Sequence, residues 1–335
     1  MDVGGLIKVA LTWPPSPEEL EILQGILGDR VKLVYPKSRK NRFLELIELA
    51  EDADVIIGGY VPDSVILKAK KLKLIQTLSA GVDRFNFRLL KEKNIRLATA
   101  SGANAITVAE MVFALMLAIA KKIVEFDRLM KKGKWAPYNP ETASLELYGK
   151  TIGIIGLGNI GREVASRARA FGMKVMAIKR SVEPDLKEKL GLEFLGGPSD
   201  LDYVLKNSDF IVLTVPLTPE TKGMIGEREL EKVKPGAIII NVSRGPVIDE
   251  KALYKALKRG RLRGAGLDVW WAYPPDPKAP SPRKIHLLEN VVATPHKAGW
   301  TLEARARALR LAAENVVNFI EGREVKNLVN LDLGY

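Results

Sequence analysis

The sequence contains two histidines, His286 and His296, and no cysteine. Imidazole is the side chain that changes charge near neutral pH without strong perturbation, so proton transfer by histidine can use only these two positions. The lack of cysteine excludes disulfides, thiolate metal sites, iron–sulfur clusters and cysteine nucleophiles. Because two histidines also leave little for a histidine cluster, we predict no metal site.

A glycine-rich turn lies between an apolar strand predicted at residues 151–155 and a helix predicted at residues 162–171. The first glycine permits a tight turn, the second lets the backbone approach a pyrophosphate, and the third lets the helix pack closely on the strand. The N-terminus of the helix supplies N–H groups for the phosphates. With another strand predicted at residues 174–178, this context indicates a dinucleotide site formed by Gly156, Gly158, Asn159, Ile160 and Gly161.

The residues after that second strand bear on the choice of cofactor. An Asp or Glu about 20 residues beyond the glycines would bind the ribose hydroxyls of NAD. The sequence instead has Lys179, Arg180 and Ser181, and two cations with a hydroxyl suit the 2′-phosphate of NADP. We therefore predict a preference for NADP, with NAD still possible. The alternative is that the Lys-Arg pair belongs to a solvated basic loop.

The length of the chain and the order of its predicted strands and helices indicate the fold that holds this turn. With 335 residues, of which 47% are hydrophobic, the chain is long for a single core, and two domains are expected. Short apolar runs alternate with helical stretches up to residue 99 and again from residue 151 to residue 295. This alternation predicts an α/β fold with two doubly wound parallel sheets. Long helices are predicted at residues 106–132 and 302–321.

Neither a membrane span nor export is expected from the sequence. The longest apolar run, at residues 111–120, is too short to cross a bilayer, and the N-terminus lacks the pattern of a signal peptide. A cytoplasmic protein is therefore predicted. The absence of cysteine, the small number of glutamines and the frequent charges of both signs are also compatible with a thermophilic source, as they are with a mesophilic one.

A series of ordered motifs resembles those of the D-isomer-specific 2-hydroxyacid dehydrogenases, a family that includes glyoxylate and hydroxypyruvate reductases, phosphoglycerate dehydrogenases and formate dehydrogenases. The resemblance implies a flavodoxin-like substrate domain from residues 1–101 and 298–335 and a Rossmann-type nucleotide domain at residues 102–297. It implies hydride transfer between NAD(P)H and a small 2-oxo acid, such as glyoxylate or hydroxypyruvate, by a homodimer. The motifs are Ser79-Ala-Gly-Val-Asp83, Gly102-Ala-Asn-Ala105, Val108-Ala-Glu110, the glycine turn, Val215-Pro-Leu-Thr218, Asn241-Val-Ser-Arg-Gly245, Gly266-Leu-Asp-Val269 and Thr294-Pro-His296.

The resemblance also implies roles for individual residues. Arg244 matches the catalytic arginine, whose paired N–H donors can polarise the substrate carbonyl. His296 matches the catalytic histidine, which would protonate the carbonyl oxygen during reduction, whereas His286 has no comparable support. Backbone N–H groups would bind the substrate carboxylate at Leu78, Ser79, Ala80 and Gly81. Further cofactor contacts are implied at Thr107, Thr214, Val215, Pro216, Thr221, Ser243 and Asp268, with loop capping an equal alternative for Asp268.

The chain departs from the family pattern beside the catalytic histidine. A glutamate normally holds this histidine, but Tyr273 occupies the corresponding position. A neutral phenol does not stabilise an imidazolium as a carboxylate does, so we expect His296 to be protonated less fully at neutral pH than in relatives with glutamate. Formate dehydrogenases of the family have an uncharged glutamine there, which leaves altered chemistry open. Lys297 and Trp300 also depart from the family pattern and are candidates for substrate contacts.

The formal net charge of +12, from 52 Lys and Arg against 40 Asp and Glu, favours anionic partners. Basic clusters at residues 37–42, 68–73 and 258–263 lack interleaved aromatic residues and a recognition helix, so we interpret them as solvated faces rather than a nucleic-acid site. The expected partner is a small anionic 2-oxo or 2-hydroxy acid. The main alternative function is a cofactor-sensing regulatory protein, because the family also includes transcriptional corepressors.

Overall fold

Parallel strands separated by helices run along the described chain. The computed structural model describes residues 6–38, 40–183 and 185–334. The chain divides into a first unit, Met1–Asn104 with Trp300–Tyr335, and a second unit, Ala105–Gly299. The strands are β1 Ile7–Leu11, β2 Val31–Val34, β3 Val55–Gly58, β4 Leu74–Thr77, β5 Arg96–Ala98, β6 Thr151–Ile155, β7 Lys174–Ile178, β8 Phe194–Gly196, β9 Phe210–Leu213, β10 Ala237–Asn241, β11 Leu262–Leu267 and β12 Val291–Ala293. The helices are α1 Pro17–Leu27, α2 Arg42–Ala50, α3 Asp63–Lys68, α4 Phe87–Glu92, α5 Ala105–Ala120, α6 Ile123–Met130, α7 Asn159–Ala170, α8 Leu186–Leu190, α9 Leu201–Asn207, α10 Glu227–Lys232, α11 Glu250–Lys258 and α12 Leu302–Ile320.

The first unit is built on a five-stranded parallel sheet in the order β2-β1-β3-β4-β5. Every residue of β3 and β4 is buried, which is typical of parallel strands covered by helices on both faces. Helix α1 begins with a capping box in which Ser16 Oγ accepts from Glu19 N and the Glu19 carboxylate accepts from Ser16 N. The strand order reverses between β1 and β3, so the carboxyl ends of these two strands form the crevice where such sheets bind ligands.

The second unit is built on a seven-stranded parallel sheet in the order β12-β11-β10-β9-β6-β7-β8. Every residue of β9 and β10 is buried. The order reverses between β6 and β9, which is the arrangement of dinucleotide-binding sheets. Helix α5 packs so closely on β11 that a Cβ at Gly266 would lie 2.8 Å from the Cβ of Leu115. The core therefore depends on small residues where this helix crosses the sheet.

The predicted α/β fold with two parallel sheets is confirmed, but one predicted element is wrong. The single helix expected at residues 106–132 is divided into α5 and α6. Lys122 has a left-handed backbone with a φ of 53°, and the carbonyl of Ala120 accepts a hydrogen bond from Leu145 N at 2.7 Å. Because this carbonyl is used by a distant residue, the next turn of α5 does not form. No helix among the described residues is long and apolar enough to cross a membrane.

Candidate active site in the second unit

The glycine-rich turn joins β6 to α7 where the strand order reverses. Gly156 has a φ of 106°, which side-chain-bearing residues rarely adopt, and a Cβ there would lie 2.8 Å from Cγ1 of Val215. A Cβ at Gly161 would lie 2.3 Å from the carbonyl oxygen of Gly156. A Cβ at Gly158, which is exposed next to Asn159, would meet no atom within 4 Å. The first and third glycines therefore shape the turn, and the second leaves its backbone open to a ligand.

Threonine side chains after β9 hold this turn and its neighbouring loop. The hydroxyl of Thr214 donates to the carbonyl of Gly156 at 2.5 Å, and the hydroxyl of Thr221 donates to the carbonyl of Pro216 at 2.6 Å. Thr107, in the first turn of α5, is only 7% exposed. These three threonines were predicted as direct cofactor contacts. The hydroxyls of Thr214 and Thr221 also help to shape the crevice, and the predicted cofactor contacts of all three stay predictions.

The three residues predicted to select NADP follow the carboxyl end of β7. Lys179 forms an ion pair with Glu183, and Arg162 Nη2 lies 3.5 Å from the same carboxylate. The hydrogen bond from Lys179 is the main cause that holds the pKa of the exposed Glu183 carboxyl below its usual value. Arg180 and Ser181 are exposed. The sequence did not point to Glu183, because the four-residue spacing from Lys179 indicates a pair only within a helix, and these residues lie in a loop.

Arg244 lies in a tight turn after β10. Asn241 is fully buried and its Oδ1 accepts from Ser243 N at 3.0 Å and from Ser243 Oγ at 2.7 Å, while its Nδ2 donates to the carbonyl of Arg244 at 2.9 Å. A Cβ at Gly245 would lie 2.2 Å from the carbonyl oxygen of Trp270, so only glycine fits there. Ser243, predicted to contact the cofactor, is 6% exposed and its hydroxyl is taken by Asn241. It therefore helps to set the turn that carries Arg244.

His296 lies in a loop after β12 that is held by Asp268. The Oδ1 of Asp268 accepts from Thr294 Oγ1 at 2.6 Å and from Lys297 N at 2.8 Å, and its Oδ2 accepts from Ala298 N at 2.9 Å. These bonds flank His296, which is exposed and has a φ of 56° in the left-handed region. Asp268 is only 1% exposed. Of the two roles considered for Asp268, its contacts support loop capping.

Tyr273 stands beside the histidine, with ring centroids 5.5 Å apart and ring planes inclined by 44°. Its Oη accepts a hydrogen bond from Trp270 N at 3.1 Å. The indole Nε1 of Trp270 donates to the carbonyl of Thr294 at 2.9 Å, so one tryptophan braces both Tyr273 and the strand end before His296. The sequence did not suggest this role. His286 packs edge-on against the same indole, with ring centroids 6.0 Å apart.

The loop predicted to bind the substrate carboxylate belongs to the first unit and follows β4. Leu78 N donates to the carbonyl of Gly58 at 2.7 Å. This N–H group therefore pairs with the sheet rather than pointing to a ligand, and the contact predicted for Leu78 stays a prediction. In the described part of the chain, no hydrogen bond involves the N–H groups of Ser79, Ala80 and Gly81. These three stay candidates for binding a carboxylate.

The second unit thus places three polar groups at one edge of its sheet. Arg244, Asp268 and His296 follow β10, β11 and β12, which are adjacent strands. A guanidinium can bind and polarise a 2-oxo acid, and an imidazole can exchange a proton with its carbonyl oxygen. Within residues 6–38, 40–183 and 185–334, no three His, Asp or Glu side chains are grouped as a metal site.

Comparison with known proteins agrees with this arrangement. Residues 113–298 match the family model described as "D-isomer specific 2-hydroxyacid dehydrogenase, NAD binding domain". A D-3-phosphoglycerate dehydrogenase of Archaeoglobus fulgidus is 42% identical over 97% of this chain, which spans about three fifths (59%) of that protein's length. A glyoxylate reductase of Korarchaeum cryptofilum is 38% identical, with 86% of each chain covered.

Solved structures include a D-lactate dehydrogenase of Aquifex aeolicus in complex with NAD and lactic acid. It is 31% identical, with a TM-score of 0.76, and the match covers 94% of this chain and 96% of the other. The resemblance inferred from the motifs is therefore confirmed. The chain belongs to the family of D-isomer specific 2-hydroxyacid dehydrogenases.

Proposed function

We propose that the chain is an oxidoreductase that reduces a small 2-oxo acid to the D-2-hydroxy acid with hydride from NADPH. The observation that carries this proposal is the placement of Arg244 and His296 after β10 and β12, on either side of β11 at one sheet edge. Relatives named glyoxylate reductase and hydroxypyruvate reductase make glyoxylate and hydroxypyruvate the first substrates to test.

The chain's own residues would bind the substrate and supply the proton. Arg244 offers paired N–H donors from a half-buried position, so it can hold the carbonyl oxygen of the substrate and stabilise the negative charge that develops there. His296 in its protonated form would give its proton to that oxygen and become neutral imidazole. In the reverse direction, neutral His296 would accept the hydroxyl proton. Asp268 would keep the imidazole in place through the loop bonds on both of its sides.

The glycine turn fits a dinucleotide. Its helix, α7, begins at Asn159 with Gly158 as the N-cap, so the backbone N–H groups of the helix N-terminus lie at this turn. Gly158 has open space where a Cβ would be, which leaves room for a pyrophosphate against the backbone. When bound there, a nicotinamide dinucleotide supplies the hydride that reduces the carbonyl carbon.

Lys179 and Arg180 support NADPH over NADH, because they follow the strand end at which the adenosine ribose is bound in such folds. Glu183 opposes this preference, since its carboxylate pairs with Lys179 and would repel a 2′-phosphate. We propose that Lys179 exchanges Glu183 for the phosphate when NADPH binds. Neutralising Glu183 by E183Q is therefore expected to increase the affinity for NADPH.

The reaction is tested by following oxidation of NADPH and NADH with a panel of 2-oxo acids that includes glyoxylate and hydroxypyruvate. Turnover with at least one acid is expected, and it should fall steeply in R244Q and H296N. Tight cofactor binding with no turnover for any acid would overturn the proposal and favour the regulatory alternative.

The cofactor preference is tested separately with K179Q and R180Q. Each variant should lower kcat/KM for NADPH about 10-fold to 100-fold, because one charge-assisted hydrogen bond is lost, and should change NADH little. The matched control is K174Q, which removes an exposed lysine from the opposite end of β7. Equal losses with both cofactors would contradict the phosphate assignment.

We also propose that two chains associate through the second unit, as homodimers of the resembled family do. This unit exposes large apolar side chains at Ile123, Trp135 and Tyr138, which are 52%, 75% and 98% exposed. Large exposed apolar side chains are typical of interaction surfaces. Light scattering should give twice the mass of one chain, and W135E should lower it. A monomer mass for the unmodified protein would contradict this proposal.

A further inference from the structure

Two consecutive tryptophans, Trp270 and Trp271, follow β11 in the second unit. This strand lies between β10, which precedes Arg244, and β12, which precedes His296. The backbone of the two tryptophans lies against the turn after β10. A Cβ at Gly245 would lie 2.2 Å from the carbonyl oxygen of Trp270 and 2.8 Å from the backbone N of Trp271. We call these two residues the tryptophan pair.

Trp270 connects the end of β11 to the loop that carries His296. It is 4% exposed, and its indole Nε1 donates at 2.9 Å to the carbonyl of Thr294, two residues before the histidine. Its backbone N donates to Tyr273 Oη at 3.1 Å, and the Tyr273 ring lies beside the His296 ring. Trp270 therefore acts on the chain that precedes the histidine and on the ring next to it.

Trp271 forms the corresponding connection on the other side of β11. Its indole Nε1 donates to the carbonyl of Ile248 at 2.9 Å. Ile248 ends the short turn Gly245–Val247, which directly follows Arg244. This turn is also held from its own strand, because Nδ2 of Asn241 donates to the carbonyl of Arg244. The bond from Trp271 links the same turn to the neighbouring strand.

The indole N–H distinguishes the tryptophan pair from other aromatic residues at a core. Phenylalanine would fill much of the same space, but it has no donor for a backbone carbonyl. Each indole bond ends in a loop that carries one of the two side chains of the proposed reaction. A displacement of about 1 Å at such a group can lower a reaction rate about 100-fold. The two bonds are therefore expected to matter more for the reaction than for stability.

We propose that the tryptophan pair positions the two reacting side chains, with Trp270 placing the proton donor His296 and Trp271 placing the guanidinium of Arg244. This inference rests on the proposed function. Because each indole holds a different loop, the two residues have separable effects. Loss of the Trp270 bond acts on proton transfer to the substrate oxygen, and loss of the Trp271 bond acts on the contact that holds that oxygen.

The variants W270F and W271F each remove one indole N–H and keep an aromatic ring. W270F should lower kcat for hydroxypyruvate about tenfold with little change in KM. It should also increase the solvent isotope effect on kcat in D2O, because proton donation becomes slower relative to the other steps. W271F should leave that isotope effect unchanged. It should raise KM about tenfold and weaken, by a similar factor, calorimetric binding of oxamate, an unreactive analogue of a 2-oxo acid.

F210L is the matched control for lost core volume. Phe210 is 1% exposed and begins β9, at the end of the sheet opposite the two loops. Each of the three variants should fold with a lower melting temperature. F210L should leave KM, the isotope effect and oxamate binding unchanged. Kinetic constants of W270F and W271F that match those of F210L would overturn the proposal. Identical changes in the two tryptophan variants would overturn the assignment of one tryptophan to each loop.

Failure of the proposed reaction can be recognised separately. If no 2-oxo acid is turned over, the proposed function fails, and the placement of His296 is still measured by NMR of the imidazole Cε1–H groups. The chain has two histidines, so two resonances are expected, and H296N identifies the one from His296. This resonance should move in W270F, because the histidine changes its position relative to the Tyr273 ring, and should stay in place in W271F. An unmoved His296 resonance in W270F would overturn the role of Trp270.

Discussion

Replacement of Tyr273 by glutamate should extend reduction of the 2-oxo acid to higher pH. In the unmodified chain a neutral phenol, Tyr273, stands beside His296, with ring centroids 5.5 Å apart. Reduction requires a protonated imidazole as the donor. A carboxylate at position 273 would favour the imidazolium, so the proton would be retained to a higher pH and the upper pH limit of reduction would rise.

The present distance between the two ring centroids sets the scale of the charge separation in Y273E, and hence of the shift. Two unit charges separated by about 5.5 Å interact by about 0.8 kcal/mol in water and by about 3 kcal/mol at an effective dielectric constant near 20. Since about 1.4 kcal/mol corresponds to one pH unit, these limits give a shift of about 0.5 to 2 units. Tyr273 is 41% exposed, which places its environment between the limits. We expect a shift of about one unit.

The assay is kcat/KM for hydroxypyruvate with NADPH, measured against pH for the unmodified chain, Y273E and Y273Q. Glutamine has the shape of glutamate and, like it, can accept the hydrogen bond from Trp270 N that now goes to the phenol oxygen. The two variants therefore differ mainly in charge. The pH above which kcat/KM falls should rise in Y273E and stay close to that of the unmodified chain in Y273Q. Coincident pH profiles for the two variants would refute the electrostatic reasoning.

Three further predictions concern the residues that support the two units. G245A places a Cβ 2.2 Å from the carbonyl oxygen of Trp270. We therefore expect the free energy of unfolding, measured in urea, to fall by about 1 to 3 kcal/mol, together with a lower kcat. An unchanged midpoint of urea unfolding would contradict the close packing. D268N leaves Ala298 N, a buried donor, without its acceptor and should cost about 1 to 3 kcal/mol, with a lower kcat and little change in cofactor affinity by fluorescence titration. Burial raises the pKa of Glu19, but hydrogen bonds from an indole, a guanidinium and a backbone N–H outweigh it and hold that pKa below the usual value. This stabilisation is present above about pH 4.3, the pKa of an unfolded glutamate, and is lost as the pH falls through the lower folded value. In thermal melts, the melting temperature of E19Q should therefore fall less below about pH 4 than that of the unmodified chain.

Much of the fold follows from local sequence signals. The strands of the two sheets are short, apolar and separated by helical patterns, and a parallel sheet buried on both faces requires this arrangement. The glycine turn is equally local, because the conformations of Gly156 and Gly161 are set within a few residues of β6 and α7. Arg244 and His296 could be proposed as site residues from the sequence because they lie in contiguous motifs.

The supporting residues could not be assigned in the same way, because their roles depend on contacts between distant segments. Asp268 caps a loop about 30 residues away, and a cofactor contact is equally compatible with its sequence position. Trp270 braces Tyr273 and the carbonyl of Thr294 only because β11 and β12 are paired. The break between α5 and α6 likewise depends on a hydrogen bond between Ala120 and a residue 25 positions further along the chain.

A carboxylate at position 273 could serve two roles, orienting the histidine and stabilising its positive charge. In this chain the two roles are separate. In this chain the loop around His296 is oriented by Asp268, whose oxygens accept hydrogen bonds from Thr294, Lys297 and Ala298. A neutral residue at position 273 can therefore be accommodated without loss of the loop geometry, because the geometry does not depend on its charge. What the phenol does not provide is electrostatic stabilisation of the imidazolium. It follows that the pH range of the reaction, rather than the placement of His296, is the property in which this chain should differ from relatives with glutamate.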